Sequence, residues 1–165
     1  MGIVAPMRRV ALSVVLLAGC KGESEETPAP VEAPPAIAWV DIDTNAGLAD
    51  AAAEAAAAGK GLMLDVRADW CVPCKELERD TFSQAAVRKA LHDRFVVARL
   101  DVTDPSPDAE ALQRRVGGAA MPWVVVWSMT AEDTKAFADG AVPPPAKTVS
   151  TYVSAEELLA LLPAV

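Results

Sequence analysis

The stretch LMLDVRADWCVPCKELERDTFSQAAVRKAL, residues 62–91, decides the fold of this chain. Its first five residues, LMLDV (62–66), form a short apolar run that predicts a buried β-strand. A second pattern follows, in which two residues separate Cys71 from Cys74 and residues 71–79 favour the start of a helix. The sequence therefore places a pair of thiols at the point where a buried strand gives way to a helix.

The spacing and the place of this cysteine pair indicate thiol–disulfide exchange. Such chemistry needs a thiolate that attacks a disulfide and a second thiol close enough to resolve the mixed disulfide. Partial positive charge at a helix N-terminus lowers the pKa of a thiol placed there and so favours its thiolate form. We therefore predict that Cys71, at the exposed end, is the attacking thiol and that Cys74, one turn inside the helix, is the resolving thiol.

Three other interpretations of the pair have less support. A purely structural disulfide would add little stability, because the loop that it closes is very short. A zinc site needs four ligands, and beyond the pair only His92 and Cys20 remain. Chance pairs of this spacing are common, but not directly after a buried strand. We therefore predict no metal site and no cofactor other than the Cys71–Cys74 disulfide itself.

The rest of the chain alternates between strand-like and helix-like segments. Apolar, β-prone runs predict strands at 37–42, 62–66, 95–102, 123–127 and 146–151. Helix-forming segments predict helices at 46–58, 71–79, 84–92, 108–115 and 155–162. Helix boundaries are signalled by residues 43–45, Gly59, Ser83 and a capping box of Ser154 and Glu157. Residues 139–145 are rich in proline and predict a loop. The alternation predicts an α/β fold in which helices flank a central sheet.

The N-terminal residues have the pattern of an export signal rather than of a folded element. Arg8 and Arg9 precede an apolar run at 10–19, which is too short to span a bilayer, where about 20 residues are needed. The run ends in Leu-Ala-Gly-Cys at 17–20, which resembles the lipobox of bacterial lipoproteins. The resemblance implies a signal peptide over 1–19 and a lipid on Cys20. The alternative is an ordinary cleaved signal with an incidental cysteine.

Residues 20–36 are rich in Glu, Pro and Ala and have almost no large apolar residue, so burial cannot stabilise a fold there. We predict a flexible tether over 20–36 that lifts a single domain, 37–165, off the membrane. Removal of Arg8 and Arg9 leaves 13 basic and 23 acidic side chains, a net charge of −10. Such an acidic body argues against a nucleic-acid partner, and it implies that acyl chains rather than charge hold the protein at the membrane.

Residues 62–91 resemble thioredoxin and are most similar to the C-terminal thioredoxin-like domain of the DsbD family, the bacterial transmembrane thiol:disulfide interchange proteins. The segment ADWC-x-x-CK-x-x-E, followed by Thr-Phe and a short helix, carries the resemblance, which extends over about 37–162. It implies the thioredoxin fold, a central mixed β-sheet flanked by helices, and a disulfide oxidoreductase activity.

The resemblance assigns substrate contacts to residues on either side of the cysteine pair in the sequence. Met121–Pro122 matches the family's cis-proline, which faces the active-site sulfurs and presents backbone to a substrate strand. The alternative is an ordinary trans proline at the start of a strand. Trp70, directly before Cys71, is expected to shield the thiol, to pack against the site and to contact substrate.

The resemblance also implies a proton acceptor. Asp65 lies six residues before Cys71, where thioredoxins keep a buried carboxylate. Burial in an apolar strand raises the pKa of such a group, which suits it to accept the proton of Cys74. The alternative is a solvated aspartate at the end of a strand. Arg99 stands where thioredoxin has a lysine near that acid, and we expect it to pair with Asp65.

Three features depart from the thioredoxin pattern. Arg67 stands where thioredoxins carry an aromatic residue, which predicts a more polar surface beside the motif. Val72 replaces a small residue between the cysteines. Residues 129–145 form a longer connection, which we interpret as a loop at the rim. We find no counterpart of the membrane domain of DsbD proteins, so we expect an unidentified membrane protein to donate the electrons.

These features together predict a membrane-anchored thiol:disulfide oxidoreductase of the bacterial envelope that reduces the disulfides of protein clients. We expect a monomer on the periplasmic side, and Lys21 after Cys20 favours the outer membrane over the inner one. The alternatives are a disulfide oxidase or isomerase, a thiol reductase of cytochrome c maturation, or a redox-inactive binding module. Only 47 residues separate Cys74 from Pro122, which leaves no room for the large helical insertion of DsbA-type oxidases.

Overall fold

The computed structural model describes residues 34–165. The predicted signal peptide, Cys20 and the predicted tether up to residue 33 lie outside the described residues, and 34–36 have no regular secondary structure. Within 34–165, no helix combines the length and the apolar character that crossing a bilayer requires.

Five strands and six α-helices alternate along the described chain. The strands are β1 (Trp39–Asp41), β2 (Gly61–Arg67), β3 (Phe95–Asp101), β4 (Trp123–Trp127) and β5 (Lys147–Val149). The helices are α1 (Asn45–Ala58), α2 (Val72–Glu76), α3 (Ala85–Arg94), α4 (Pro107–Arg115), α5 (Ala131–Ala138) and α6 (Ala155–Leu161). A π-helical segment, Leu77–Phe82, directly continues α2.

The strands form one mixed sheet in the order β1-β3-β2-β4-β5. β1 and β2 both run parallel to β3, whereas β4 runs antiparallel to β2 and to β5. The central strand β2 has a strand on either side and is buried over 61–66, which explains why its sequence is apolar except for Asp65. The predicted fold class, a central mixed sheet flanked by helices, is confirmed.

Two buried clusters lie against the sheet. Alternate residues of β2 contribute to different clusters, because successive side chains of a strand point to opposite faces. Leu62, Leu64 and Val66 belong to the first cluster, which also includes both cysteines of the pair. Met63 belongs to the second, together with side chains of the π-helical segment, α3 and α6. The cysteine pair therefore sits on the core rather than on a separate loop.

Three of the four predicted helix-boundary signals are present in the structure. The Thr44 hydroxyl accepts a hydrogen bond from the Gly47 amide at 3.1 Å and begins α1. Gly59 ends that helix with a φ of 64°, a conformation that glycine adopts without a steric penalty. The predicted capping box of Ser154 and Glu157 begins α6.

The connection over 129–145 is not the plain loop that we expected. It contains α5, which begins with a capping box of Thr130 and Asp133. Phe137 of α5 is buried and packs edge-on against Trp127, with the two ring centroids 5.4 Å apart. The packing against the core, rather than an apolar periodicity of its own, stabilises this short helix.

The helix predicted over 71–79 is also different. The α-helical part ends at Glu76, and a π-helical segment continues to Phe82. The predicted cap Ser83 does not begin α3, because its hydroxyl donates to the Arg79 carbonyl behind it, and Gln84 precedes α3 without a side-chain cap.

Candidate active site

Cys71 is the N-cap of α2. Its backbone is extended, and its Sγ accepts a hydrogen bond from the Cys74 amide at 3.2 Å. Its own amide donates to the Ala68 carbonyl at 3.1 Å, which fixes the turn between β2 and the helix. Pro73 is tolerated in the first turn, where a helix leaves backbone donors without partners. A negative charge on the Cys71 sulfur would therefore meet an amide donor at the positive end of the helix.

Cys71 and Cys74 are joined by a disulfide bond, with their Cα atoms 5.3 Å apart. Each residue is only 5% exposed, so exposure does not separate the attacking from the resolving thiol in this oxidised form. What separates them is the backbone position. Cys71 precedes the helix and accepts an amide hydrogen bond, whereas Cys74 lies inside the first turn.

Exposed apolar side chains flank Cys71 on both sides in the sequence. Trp70 is 64% exposed and Val72 is 65% exposed. The indole N–H of Trp70 donates to the Thr103 carbonyl at 3.4 Å. Trp70 is therefore not packed against the site as we expected; it stands outward, where a binding partner can reach it.

Asp65 is buried in the middle of β2, with 3% exposure. Burial raises its pKa from 3.8 to about 6, although the charge of Arg99 and a hydrogen bond from it act in the opposite direction. The expected pairing is present, because Nη2 of Arg99 lies 3.3 Å from Oδ2 of Asp65. Within 34–165, Asp65 forms no hydrogen bond to a sulfur of the pair.

The register of the sheet explains why Arg99 meets Asp65. The two residues are paired across β2 and β3. Trp39 is paired with Val97 across β1 and β3, so Trp39 lies two positions from Arg99 on the same face. The Arg99 guanidinium stacks over the Trp39 ring, 3.8 Å from its centroid.

A second carboxylate completes this cluster. Glu78, in the π-helical segment, places Oε1 3.4 Å from Nη1 of Arg99. Glu78 is the acidic end of the quoted CK-x-x-E pattern, which by itself predicted no contact with Arg99. Arg99 therefore lies between two carboxylates and an aromatic face.

Met121–Pro122 is a cis peptide bond, as the sequence predicted. Pro122 is buried directly before β4. Met121 is half-buried and packs against the cluster that includes Cys71 and Cys74. Met121 thus packs against the same buried cluster that includes the cysteine pair.

Within residues 34–165, no group of three or more histidine, cysteine, aspartate or glutamate side chains is arranged to hold a metal ion.

A family model described as thioredoxin-like matches residues 43–128, which is more than half of the chain. The chain belongs to the thioredoxin-like family. The match includes β2, the cysteine pair and the cis-proline. The resemblance seen in the sequence and the predicted thioredoxin fold are therefore both confirmed.

Solved structures of thioredoxin-like proteins have the same fold. The oxidised DsbD C-terminal domain of Neisseria meningitidis is 27% identical and superposes with a TM-score of 0.56, covering 73% of this chain and 95% of that domain. A thioredoxin from Thermus thermophilus superposes with a TM-score of 0.59 at 21% identity, covering 76% of this chain and 84% of that one. The second likeness concerns the fold alone.

Curated relatives of this thioredoxin-like chain include thiol:disulfide interchange proteins DsbD. The Vibrio cholerae protein is 38% identical over 96 residues, which is 58% of this chain and 16% of the relative. The Ralstonia nicotianae protein is 50% identical over 66 residues, which is 40% of this chain and 11% of the relative. The similarity thus spans about a sixth or less of each of these relatives.

Proposed function

We propose that this thioredoxin-like chain is a thiol:disulfide oxidoreductase of the bacterial envelope that reduces disulfide bonds in client proteins. The observation that carries the proposal is the amide hydrogen bond from Cys74 to the sulfur of Cys71 at the start of α2. The chain is similar to DsbD proteins, which are named thiol:disulfide interchange proteins, and this similarity supports thiol–disulfide exchange as the reaction.

The reaction begins with the reduced pair. The Cys71 thiolate attacks one sulfur of a client disulfide, a Cys71–client disulfide forms, and the other client sulfur leaves as a thiolate. The Cys74 thiolate then attacks the Cys71 sulfur, which restores the Cys71–Cys74 disulfide and releases the second client thiolate. Two electrons pass from the pair to the client. A protein dithiol, which we place at the membrane, reduces the pair again.

Asp65 is the proposed acceptor for the proton that Cys74 must lose before it attacks. A pKa of about 6 allows Asp65 to be ionised at neutral pH and still to bind a proton readily. The group lies on β2, which leads directly into the turn before Cys71. Water or a movement of the side chain must connect it to the sulfur.

Clients are proposed to bind beside the exposed Trp70 and along the backbone of Met121. Trp70 offers apolar surface next to Cys71. A client segment that pairs with the backbone of Met121 would present its disulfide to Cys71 by strand addition. A lipid on Cys20 and the tether over 20–36 would hold the domain at the membrane, on the periplasmic side.

The test compares Cys71→Ser and Cys74→Ser variants with the wild type in the reduction of insulin disulfides. We expect both variants to lose the activity, and only Cys74→Ser to accumulate a mixed disulfide with a client, since it retains the attacking thiol. A mixed disulfide trapped through Cys74 in the Cys71→Ser variant would reverse the two roles. A wild type without exchange activity would leave only a binding module.

The reduction potential of the pair decides the direction of electron flow. A value near that of thioredoxin, about −270 mV, is expected for a reductase. A value near about −120 mV, as in a dedicated oxidase, would contradict the proposed direction. The measurement is equilibration of the mature chain in glutathione or dithiothreitol buffers of known potential.

A further inference from the structure

Arg67 is a cation at the end of β2, immediately before the turn that leads to Cys71. It is paired with Asp101 across β2 and β3, two positions beyond the pairing of Asp65 with Arg99. Both pairs lie on the same face of the sheet. In one the acid is on β2 and the arginine on β3, and in the other the arginine is on β2 and the acid on β3. The inner pair holds the buried acid, and the outer pair borders the turn.

The outer pair is part of a larger polar group. The Arg67 guanidinium donates to the Asp69 carboxylate, and its Nη1 lies 3.6 Å from Oδ2 of Asp101. The Asp69 amide donates to Oγ1 of Thr103 at 2.8 Å, and the Thr103 amide donates to Oδ1 of Asp101 at 2.8 Å. We call Arg67, Asp69, Asp101 and Thr103 the Arg67 network.

The Arg67 network ties the turn before Cys71 to the end of β3. The side chain of Arg67 is only 17% exposed, whereas those of its partners Asp69 and Asp101 are 66% and 46% exposed. The network also positions Thr103, whose carbonyl accepts the indole N–H of Trp70. The exposed Trp70 ring is thus linked to Thr103 through its indole N–H, and the preceding residue, Asp69, is linked to the same threonine through its amide.

Fixing an exposed aromatic side chain favours binding. A ring that is already ordered loses little conformational freedom when a partner covers it, so more of the contact energy appears as affinity. Trp70 and Val72 flank Cys71, so a protein that covers them brings its own disulfide to the attacking sulfur. A small disulfide reagent does not need this contact.

We propose that Arg67 is a positioning residue for client proteins, because its network with Asp101 and Thr103 holds the Trp70 indole in place beside Cys71. This inference rests on the proposed function, since it concerns the binding of clients to the same cysteine pair.

The test uses the mature chain and compares Arg67→Gln with the wild type on a protein disulfide, insulin, and on a small disulfide, dithiobis(nitrobenzoate). We expect Arg67→Gln to raise the KM for insulin about fivefold, the factor that corresponds to losing roughly one kcal/mol of contact. Its kcat for insulin and its rate with the small disulfide should stay within about twofold of the wild type. Arg67→Lys should recover part of the loss, because it keeps the charge but not the fork of donors.

Two further variants separate positioning from folding. Thr103→Val removes the acceptor of the Asp69 amide and should raise the KM for insulin in the same way, even if Arg67→Gln does not fold. Arg114→Gln removes an exposed ion pair with Glu110 on α4 and should leave the KM unchanged.

The heteronuclear NOE of the Trp70 indole in the oxidised chain provides a readout that needs no activity, and we expect it to fall in Arg67→Gln and Thr103→Val. An unchanged NOE in the folded variants, an unchanged KM, or an equal loss on both disulfides would overturn the inference. A wild type that is inactive on both disulfides would contradict the proposed function instead, and the NOE would still decide whether Arg67 positions the ring.

Discussion

Asp65 shows how one buried group links stability to pH. In the unfolded chain its pKa is near 3.8, whereas burial raises the pKa of the folded chain to about 6. The folded state therefore holds this proton more tightly, and the stability present below about pH 4 is lost as the pH rises through about 6. The ionised carboxylate is the destabilising form, and the Arg99 ion pair offsets only part of the cost of its burial.

We expect Asp65→Asn to be more stable than the wild type at pH 8 by roughly 1–3 kcal/mol, because the amide is never ionised. At pH 4 the two oxidised proteins should be nearly equal in stability. Urea unfolding at both pH values measures the difference, with the exposed Asp50→Asn as the control for loss of one negative charge. A stability difference between Asp65→Asn and the wild type that does not grow with pH would contradict the assignment.

Arg99 lowers the pKa of Asp65 through its charge and its hydrogen bond, although burial outweighs both. We therefore expect Arg99→Met to raise the pKa of Asp65 further above 6. A titration of the Asp65 carboxyl carbon by NMR measures this directly. Arg114→Met, which removes an exposed arginine on α4, is the matched control and should leave that titration unchanged. If the midpoint in Arg99→Met stayed the same or fell, the attraction across β2 and β3 would not be what holds the acid's pKa down.

At the scale of helices and strands, α5 allows the contribution of packing to stability to be tested separately from the chemistry of the cysteine pair. Phe137 is the buried side chain of this helix and contacts Trp127 at the end of β4. Phe137→Ala should cost about 3–5 kcal/mol of stability, because it leaves a cavity beneath α5. The rate of disulfide exchange per folded molecule should not change, since Cys71 and Cys74 stand at the start of α2 rather than on α5. Chemical unfolding and an insulin assay test both statements, and the exposed Glu132→Ala should affect neither.

The same elements show what the sequence could predict. β2, the start of α2 and the capping box of Ser154 were predictable because each has a local signal: an apolar run, a cysteine pair at a turn, or a cap residue. α5 was missed because only Phe137 of it is buried, so its stability depends on distant packing. The π-helical segment was missed because its wider turn has no residue signature of its own.

The residues of the candidate site also fall into those with a local sequence signal and those without one. The cysteine pair, Asp65 and Pro122 were identified from the sequence through the motif and the resemblance. The contacts of Arg99 with Glu78 and Trp39, and the Arg67 network, depend on which residues of neighbouring strands are opposite each other. Strand order and register arise from the whole sheet, so no local stretch of sequence contains them.

At the scale of the whole molecule, the proposed lipid anchor can be weighed against the charge of the domain. The described residues, 34–165, contribute two buried clusters that lie against the sheet. With a net charge of −10 after the predicted signal peptide is removed, the body is repelled by anionic lipid. If Cys20 is lipidated as proposed, acyl chains rather than charge would hold the protein at the membrane, and a single chain gives only marginal binding. The proposed anchor thus predicts more than one acyl chain on Cys20. It also predicts that the stability and the activity of the domain do not change when these chains are lost.

We expect Cys20→Ser to move the protein from the membrane fraction to the soluble fraction of bacterial cells, because no other residue would accept the lipid. The melting temperature of the domain and its rate of insulin reduction should match those of the wild type, since the thioredoxin-like match begins at residue 43, well after Cys20 in the sequence. Cell fractionation with mass spectrometry of the N-terminal peptide measures the anchor, and Lys21→Asp provides a control that keeps the cysteine but changes the residue after it. A Cys20→Ser protein that still sediments with membranes, or a wild-type Cys20 without acyl mass, would refute the lipid anchor and leave the disulfide chemistry untouched.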